Sequence, residues 1–235
     1  MHTILLSALL MFVQQQPVPV TPGPPVLIVS GNASIMAAPD QATVRLGIVR
    51  QAAVAQTAQE QANAAAQEIL NAVQKAGVPA NQIQTARLVL TPVYAPRSPE
   101  SRDAPRIVAY NATNTISIRL DNLSIVGAVI DAGLKAGANQ LEGVIFGLRN
   151  DLPSRQQALK QAVEEARSKA QVMADTLRVS LGEVLEVSEG GVSILDREPV
   201  VAGRFMAAAA ETPVSPGQIE VRASVTIRYR IVAKQ

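Results

Sequence analysis

Two related stretches, KAGVPANQI at residues 75–83 and KAGANQL at residues 135–141, decide how the middle of this chain folds. Each closes a helical pattern with a glycine, Gly77 or Gly137, the residue that most often follows the last turn of a helix. Each then leads through Asn-Gln into an apolar run that is typical of a strand. The middle of the chain therefore predicts two successive units, each a helix followed by a strand.

Strand patterns also precede both helices. The first helix is predicted from about Thr57, with Thr57 and Glu60 in the spacing of a capping box, and the second follows an Asp121-Asn122 cap. Residues 42–148 then have the order β-α-β-β-α-β, which is ferredoxin-like. Right-handed crossovers place both helices on one face of the sheet. The strands before the closing one are predicted at residues 26–35, 43–50, 86–94, 107–120, 141–148 and 183–189.

The closing strand, Ile219 to Ile231, has the clearest alternation in the chain. Its odd positions are apolar apart from Tyr229, and its even positions are polar or charged, so one face is predicted to be buried and the other wetted. With a further long helix before it, the pattern predicts an α+β fold. This fold is a ferredoxin-like unit extended by the third helix and two further strands, in a mainly antiparallel sheet.

The third helix is predicted from Ser154 to about Val179, with Ser154 and Gln157 in capping-box spacing. Its apolar stripe is rich in alanine, which predicts a close approach to its neighbour. The predicted stripe consists of Leu159, Ala162, Val163, Ala166, Ala170, Met173 and Leu177.

The ends of the chain and two long connections fall outside these elements. Residues 1–16 predict a signal peptide with an apolar region at 3–13, although no basic residue precedes that region, and a tethered helix stays open as an alternative. Residues 17–25 predict a Pro-rich spacer, and residues 26–235 a single domain. Loops are predicted at residues 95–106 and 194–218.

The composition excludes several classes of function. Lys plus Arg number 21 against 19 for Asp plus Glu, so the net charge of +2 is too small for an electrostatic nucleic-acid binder. The chain has no cysteine, and its one histidine is His2. These absences exclude disulfides, thiolate chemistry, iron–sulfur ligation, zinc fingers, Ser-His-Asp triads and HExxH zinc sites. We therefore predict no cofactor and no catalytic or metal-ligating residue.

Four polar groups remain as candidates for a site, and for each the sequence favours a structural role. Asp40 after Pro39 predicts a turn or cap residue, and Asn139-Gln140 predict the exit from a helix. Glu164 and Glu165 are adjacent on a helix, about 100° apart, and so form no catalytic pair. The arginines of the closing strand favour solubility and edge protection over an interface. The identity of any binding residues stays open. The arginine group, with its acidic neighbour, consists of Arg222, Arg228, Arg230 and Glu220.

From about residue 26 to 232 the chain resembles the SIMPL-domain family. The resemblance rests on several short motifs in the right order, with one departure: Ala33 stands where the family often has a second glycine after Gly31. The motifs are Ile28-Val29-Ser30-Gly31, Ala38-Pro39-Asp40-Gln41-Ala42, Val129-Ile130-Asp131, Gly137-Ala138-Asn139-Gln140, Ile145-Phe146, Ala166-Arg167-Ser168-Lys169-Ala170 and Pro216-Gly217-Gln218-Ile219-Glu220-Val221.

The resemblance implies a bacterial periplasmic or envelope protein, with relatives described as oxidative-stress defence proteins or periplasmic antigens. At least one relative assembles into a hollow ring-like oligomer, and an animal member is a signalling adaptor. No catalytic residue is defined for the family. We expect an exported, non-enzymatic protein that self-assembles or binds envelope partners, with at most an indirect role in stress resistance. The alternatives are an enzyme of unfamiliar carboxylate-dependent type and an intracellular signalling adaptor.

The length of the closing strand predicts a homo-oligomer. About 13 residues extend roughly 43 Å, which exceeds the usual strand and predicts an overhang beyond a small sheet. The unpaired backbone groups of an overhang can be satisfied by a neighbouring subunit. We expect no nucleic-acid partner and no transmembrane span in the mature chain.

Overall fold

The computed structural model describes residues 23–96, 104–196 and 212–234. The predicted signal peptide and most of the Pro-rich spacer lie outside these residues, as do the centres of both predicted loops. The elements are, in chain order, β1 (Val26–Ala37), β2 (Gln41–Ala52), α1 (Ala55–Lys75), β3 (Ile83–Tyr94), β4 (Ile107–Leu120), α2 (Val126–Lys135), β5 (Gln140–Gly147), α3 (Leu152–Thr176), β6 (Val179–Asp196) and β7 (Ile219–Ala233).

The middle of the chain forms a four-stranded antiparallel sheet in the order β3-β4-β2-β5. Strand β2, which precedes α1, lies between β4 and β5, and β4, which precedes α2, lies between β3 and β2. This order confirms the ferredoxin-like arrangement. Helices α1 and α2 pack into one core with a single face of the sheet, as predicted. That core includes Leu46, Ile48, Ile69, Val73, Ile116, Ile118, Val129 and Ile130.

The repeated Lys-Ala-Gly stretches end α1 and α2 in the same way. Gly77 and Gly137 both have positive φ, 95° and 110°, which glycine adopts without strain. The amides of the following residues, Val78 and Ala138, each donate a hydrogen bond to a carbonyl five residues back. Both helices therefore close with a Schellman motif.

The extension of the ferredoxin-like unit takes the form of a second antiparallel sheet, in the order β1-β7-β6. Helix α3 packs against one face of this sheet and contacts all three strands. The buried odd positions of β7 confirm the predicted alternation. They form a second core with β1 and α3, which contains Leu27, Val29, Ala158, Ala162, Ala166, Ala170, Ile219, Val221, Ala223, Val225, Ile227 and Tyr229.

The predicted overhang of the closing strand is wrong. Residues 219–230 of β7 pair with β1, and the strand also pairs with β6 from Ile219 to Ala233, with several bulges on the β6 side. It is therefore the central strand of its sheet. The reason is non-local, because β1 and β6 are both long enough to pair with nearly the whole of β7. Strand β6 continues to Asp196, although the sequence predicts a loop from Ile194.

The buried stripe of α3 is narrower than predicted. It repeats every four residues through alanines alone, at positions 158, 162, 166, 170 and 174. Val163, Met173 and Leu177, which the sequence places in the stripe, are exposed. Alanine allows the helix axis to approach the sheet so closely that larger side chains are displaced to the flanks.

Two predicted capping boxes are absent. Helix α1 begins at Ala55, two residues before Thr57, and α3 begins at Leu152, two residues before Ser154; neither has a side-chain cap on its N-cap residue. For α3, Pro153 in the first turn sets the start of the helix instead. The Asn122 side chain accepts a hydrogen bond from the Ser124 amide at 3.0 Å, but it caps the short 3-10 helix Leu123–Ile125 that leads into α2. Helix α2 itself, whose N-cap residue is Ile125, has no side-chain cap.

Candidate functional site

The face of the second sheet that points away from α3 carries a polar groove. The even residues of β7 lie on this face, and strand register places Ser34 of β1 and Ser193 of β6 on either side of Arg222. Asn32 lies beside Ser224 in the same way. Alternation along three paired strands therefore gathers hydroxyl, amide and guanidinium groups into one place.

A buried carboxylate anchors the groove. Glu220 is only 4% exposed, although the sequence places it on the wetted face. It accepts hydrogen bonds from the Arg222 Nε and Nη2 atoms, at 2.9 and 3.1 Å, and from the Ser34 hydroxyl. The hydrogen bonds to Glu220 and its negative charge raise the pKa of Arg222 above its ordinary value, and the two-point contact holds the guanidinium in one orientation.

A β-bulge opens the groove into a cavity. The register between β6 and β7 shifts between Glu189 and Gly191, and Gly191 has a φ of 101°. A Cβ atom on Gly190 would overlap the Ser224 hydroxyl, so a larger residue there would require the Ser224 side chain to rotate. The cavity beside the bulge has a volume of about 510 Å³.

The other arginines of β7 do not protect an edge, because β7 is central. Arg228 forms an ion pair with Glu186 at 3.7 Å, and Arg230 pairs with Glu183 at 3.1 Å. Both pairs cross from β7 to β6. The sequence named Arg222 and Glu220 but favoured solubility and edge protection for them. It missed the serines of β1 and β6, because only strand pairing brings these residues together.

Asp40 and Asn139 bind backbone groups, but of segments distant in sequence and not within the local turn or helix exit that the sequence favours. The Asp40 carboxylate accepts a hydrogen bond from the Arg149 amide at 2.6 Å. The Asn139 side chain accepts one from the Val49 amide at 2.8 Å and donates one to the Val49 carbonyl at 3.0 Å. Both residues hold β2 against neighbouring segments, and neither belongs to the groove.

The two adjacent glutamates of α3 point to different partners. Glu164 lies 3.9 Å from Lys160 on the exposed face, as predicted. Glu165 instead accepts a hydrogen bond from the Asn32 amide and pairs with Lys169 at 2.9 Å. These contacts lower the pKa of Glu165 and join α3 to β1.

A further carboxylate joins α2 to the segment before β7. Asp131 accepts hydrogen bonds from the Thr212 hydroxyl at 2.6 Å and from its amide at 3.2 Å. These bonds lower the pKa of Asp131. Because the folded-state pKa is depressed, the contact stabilises the protein above the ordinary carboxyl pKa, and the stabilisation is lost as the pH falls through the folded value.

Residues 23–96, 104–196 and 212–234 contain neither a metal-binding cluster nor a membrane-spanning helix. In those ranges no three Asp, Glu or His side chains are placed to hold a metal ion. None of their helices combines the length and apolar character needed to cross a bilayer.

The fold and the groove define a two-sheet α+β protein with a polar surface cavity. The chain belongs to the SIMPL family, described as a protein of unknown function (DUF541), which matches residues 27–229. This match covers both sheets and all three helices.

Similar proteins occur in several bacteria. The chain is 33% identical over 223 residues to a 26 kDa periplasmic immunogenic protein of Brucella melitensis. The matched region covers 90% of this chain and 86% of that protein. The chain is also 29% identical over 205 residues to the uncharacterized protein YggE of Escherichia coli. That match covers 87% of this chain and 80% of YggE.

Proposed function

We propose that this protein is an exported, non-enzymatic component of the bacterial cell envelope that self-assembles through the free edges of its second sheet. Membership of the SIMPL family and the periplasmic name of the Brucella relative support an envelope location. Without cysteine or another conventional redox ligand, any contribution to stress resistance is indirect. Other envelope proteins are further candidates as partners.

Export is proposed from the apolar region at residues 3–13 and the Pro-rich segment after it. We expect protein from the periplasmic fraction to lack about 16 N-terminal residues, with residues 17–25 remaining as a spacer before the 26–235 domain. Intact-mass measurement of that fraction tests this. Full-length protein that begins at Met1 and is confined to the cytosol would instead favour an intracellular adaptor.

The carboxylates support a role without catalysis. A general acid needs a raised pKa and a neighbouring group to work with. The pKa values of Asp131 and Glu165 are both lowered, which is the opposite of what a general acid needs. Glu220 is already bound by Arg222 and Ser34.

The observation that carries the assembly proposal is the edge strand β6. This strand has 18 residues and pairs, within the described part of the chain, with β7 alone. Val184 and Val187 are 52% and 59% exposed on it. A long edge with exposed apolar side chains can add a strand from another chain.

Strand β1 forms the opposite edge of the same sheet. Among the described strands it pairs with β7 alone, and it carries the exposed Ile28. Pairing β6 of one copy with β1 of the next would continue the sheet from subunit to subunit. Such a head-to-tail contact closes into a ring when the rotation between copies allows it.

We expect the mature protein to have a mass several-fold above the 24.8 kDa of the chain, and Val187→Lys to shift it toward the monomer. A lysine on a strand edge opposes pairing with another strand. Light scattering coupled to size exclusion measures the mass. Leu134→Lys is the matched control: its side chain is 40% exposed on α2, away from both edges, and it should leave the particle unchanged.

Two outcomes would contradict this proposal. A wild-type mass near 25 kDa at micromolar concentration would exclude self-assembly. A particle that Val187→Lys leaves intact would exclude the β6 edge as its interface.

A further inference from the structure

The cavity beside the Gly190-Gly191 bulge contains polar groups that the fold does not use. Within the described part of the chain, the hydroxyls of Ser193 and Ser224 make no hydrogen bond, and neither does the side chain of Asn32. Hydroxyl and carboxamide groups each offer both donors and acceptors. All three side chains line the cavity and are free to bind a ligand there.

Arg222 adds a fixed positive group to the same wall. An arginine has five N–H donors. Two of them, on Nε and Nη2, bind Glu220, so three remain. Because the Glu220 contact holds the guanidinium in place, a ligand that binds the remaining donors loses little side-chain entropy.

This set of groups selects the chemistry of a ligand. A guanidinium matches a carboxylate, since two parallel N–H groups meet two oxygens. The serines and Asn32 match neighbouring hydroxyl groups. The described lining has no aromatic ring on which a neutral sugar could stack, and its residues carry no carboxylate to attract a cation. The volume of about 510 Å³ is within the range of small-molecule pockets, roughly 300–1,000 Å³.

We propose that this cavity is a binding site for a small molecule that carries a carboxylate beside several hydroxyl groups, the chemistry of a sugar acid. The carboxylate binds Arg222, and the hydroxyl groups bind Ser193, Ser224 and Asn32. Gly190 to Ser193 of this lining belong to β6, the strand proposed above as an assembly edge, so the experiment follows binding and assembly separately.

The test uses D-glucuronate as the probe, with D-glucose and acetate as partial probes that carry only the hydroxyls or only the carboxylate. Isothermal calorimetry measures affinity, and saturation-transfer NMR detects the bound ligand in particles of any size. We expect a dissociation constant of about 1 mM or tighter for glucuronate and at least about tenfold weaker binding of each partial probe. Equal binding of acetate and glucuronate would overturn the hydroxyl contacts.

Ser193→Leu places an apolar side chain in the cavity and should weaken glucuronate binding at least about tenfold. Ser188→Leu is the matched control, because Ser188 faces the same side of β6 opposite Thr226 and lies outside the cavity. Asn32→Leu repeats the test from β1. Circular dichroism checks folding, and light scattering on the same samples separates lost binding from lost assembly. The proposal is overturned if the wild-type protein does not bind glucuronate at a concentration tenfold above the expected dissociation constant. It is also overturned if Ser193→Leu and Ser188→Leu bind glucuronate equally well.

Discussion

Gly31→Ala is expected to lower the free energy of unfolding by about 3 kcal/mol or more, the upper end of what overpacking costs. A Cβ atom at this position of β1 would lie 2.7 Å from the Ala166 nitrogen and nearer still to the Ala162 carbonyl oxygen. Both are backbone atoms of α3, so no side-chain rotation relieves the overlap. The whole helix must move away from the sheet.

Urea unfolding followed by circular dichroism measures the effect. The matched control is Gly147→Ala at the end of β5, where a Cβ atom would meet nothing within 4 Å and φ is not positive. That variant should stay within about 0.5 kcal/mol of wild type. If Gly31→Ala and Gly147→Ala have equal stability, then α3 does not pack on β1 as closely as described.

The same contact shows how far the sequence determines this fold. The alternation of β7 and the two Lys-Ala-Gly repeats are local patterns, and they predicted a buried strand face and a ferredoxin-like unit. Ala33 stands where the family often has a second glycine, and residues 31–33 lie inside a continuous strand. Position 31 needs a small residue because α3, more than 100 residues later in the chain, packs directly on it. No local sequence pattern predicts that contact.

Strand pairing limits prediction of the groove in the same way. Arg222 and Glu220 could be recognised because they lie two positions apart on one strand. Ser34 is 186 residues from Glu220 in sequence, and it joins the site only through the pairing of β1 with β7. The bulge at Gly190 is equally non-local, because the atom nearest to a Cβ at that position belongs to Ser224 of β7. The sequence therefore predicted only that Arg222 and Glu220 share the polar face of one strand, and the pairing of three strands forms the groove around them.

Asn114→Val is expected to raise the free energy of unfolding by about 1–2 kcal/mol. Asn114 is 7% exposed on the helix-facing side of β4, and its cross-strand neighbours are Ile48 and Leu88. Its carboxamide oxygen finds no hydrogen-bond partner among the described residues. A buried acceptor without a partner costs roughly 1–3 kcal/mol, and valine removes it while suiting a strand.

Thermal and urea unfolding measure the change, with Asn111→Val as the matched control. Asn111 lies three residues earlier on β4, on the opposite face of the sheet and only half-buried, so the same substitution there reports the gain in strand propensity alone. The difference between the two variants isolates the effect of the buried oxygen. If Asn114→Val is instead destabilised by more than about 1 kcal/mol, the carboxamide has a partner in the native particle. A water molecule or a neighbouring subunit would then supply that hydrogen bond, and the exposed Leu88 and Leu90 beside it would mark the route by which a subunit could reach the oxygen.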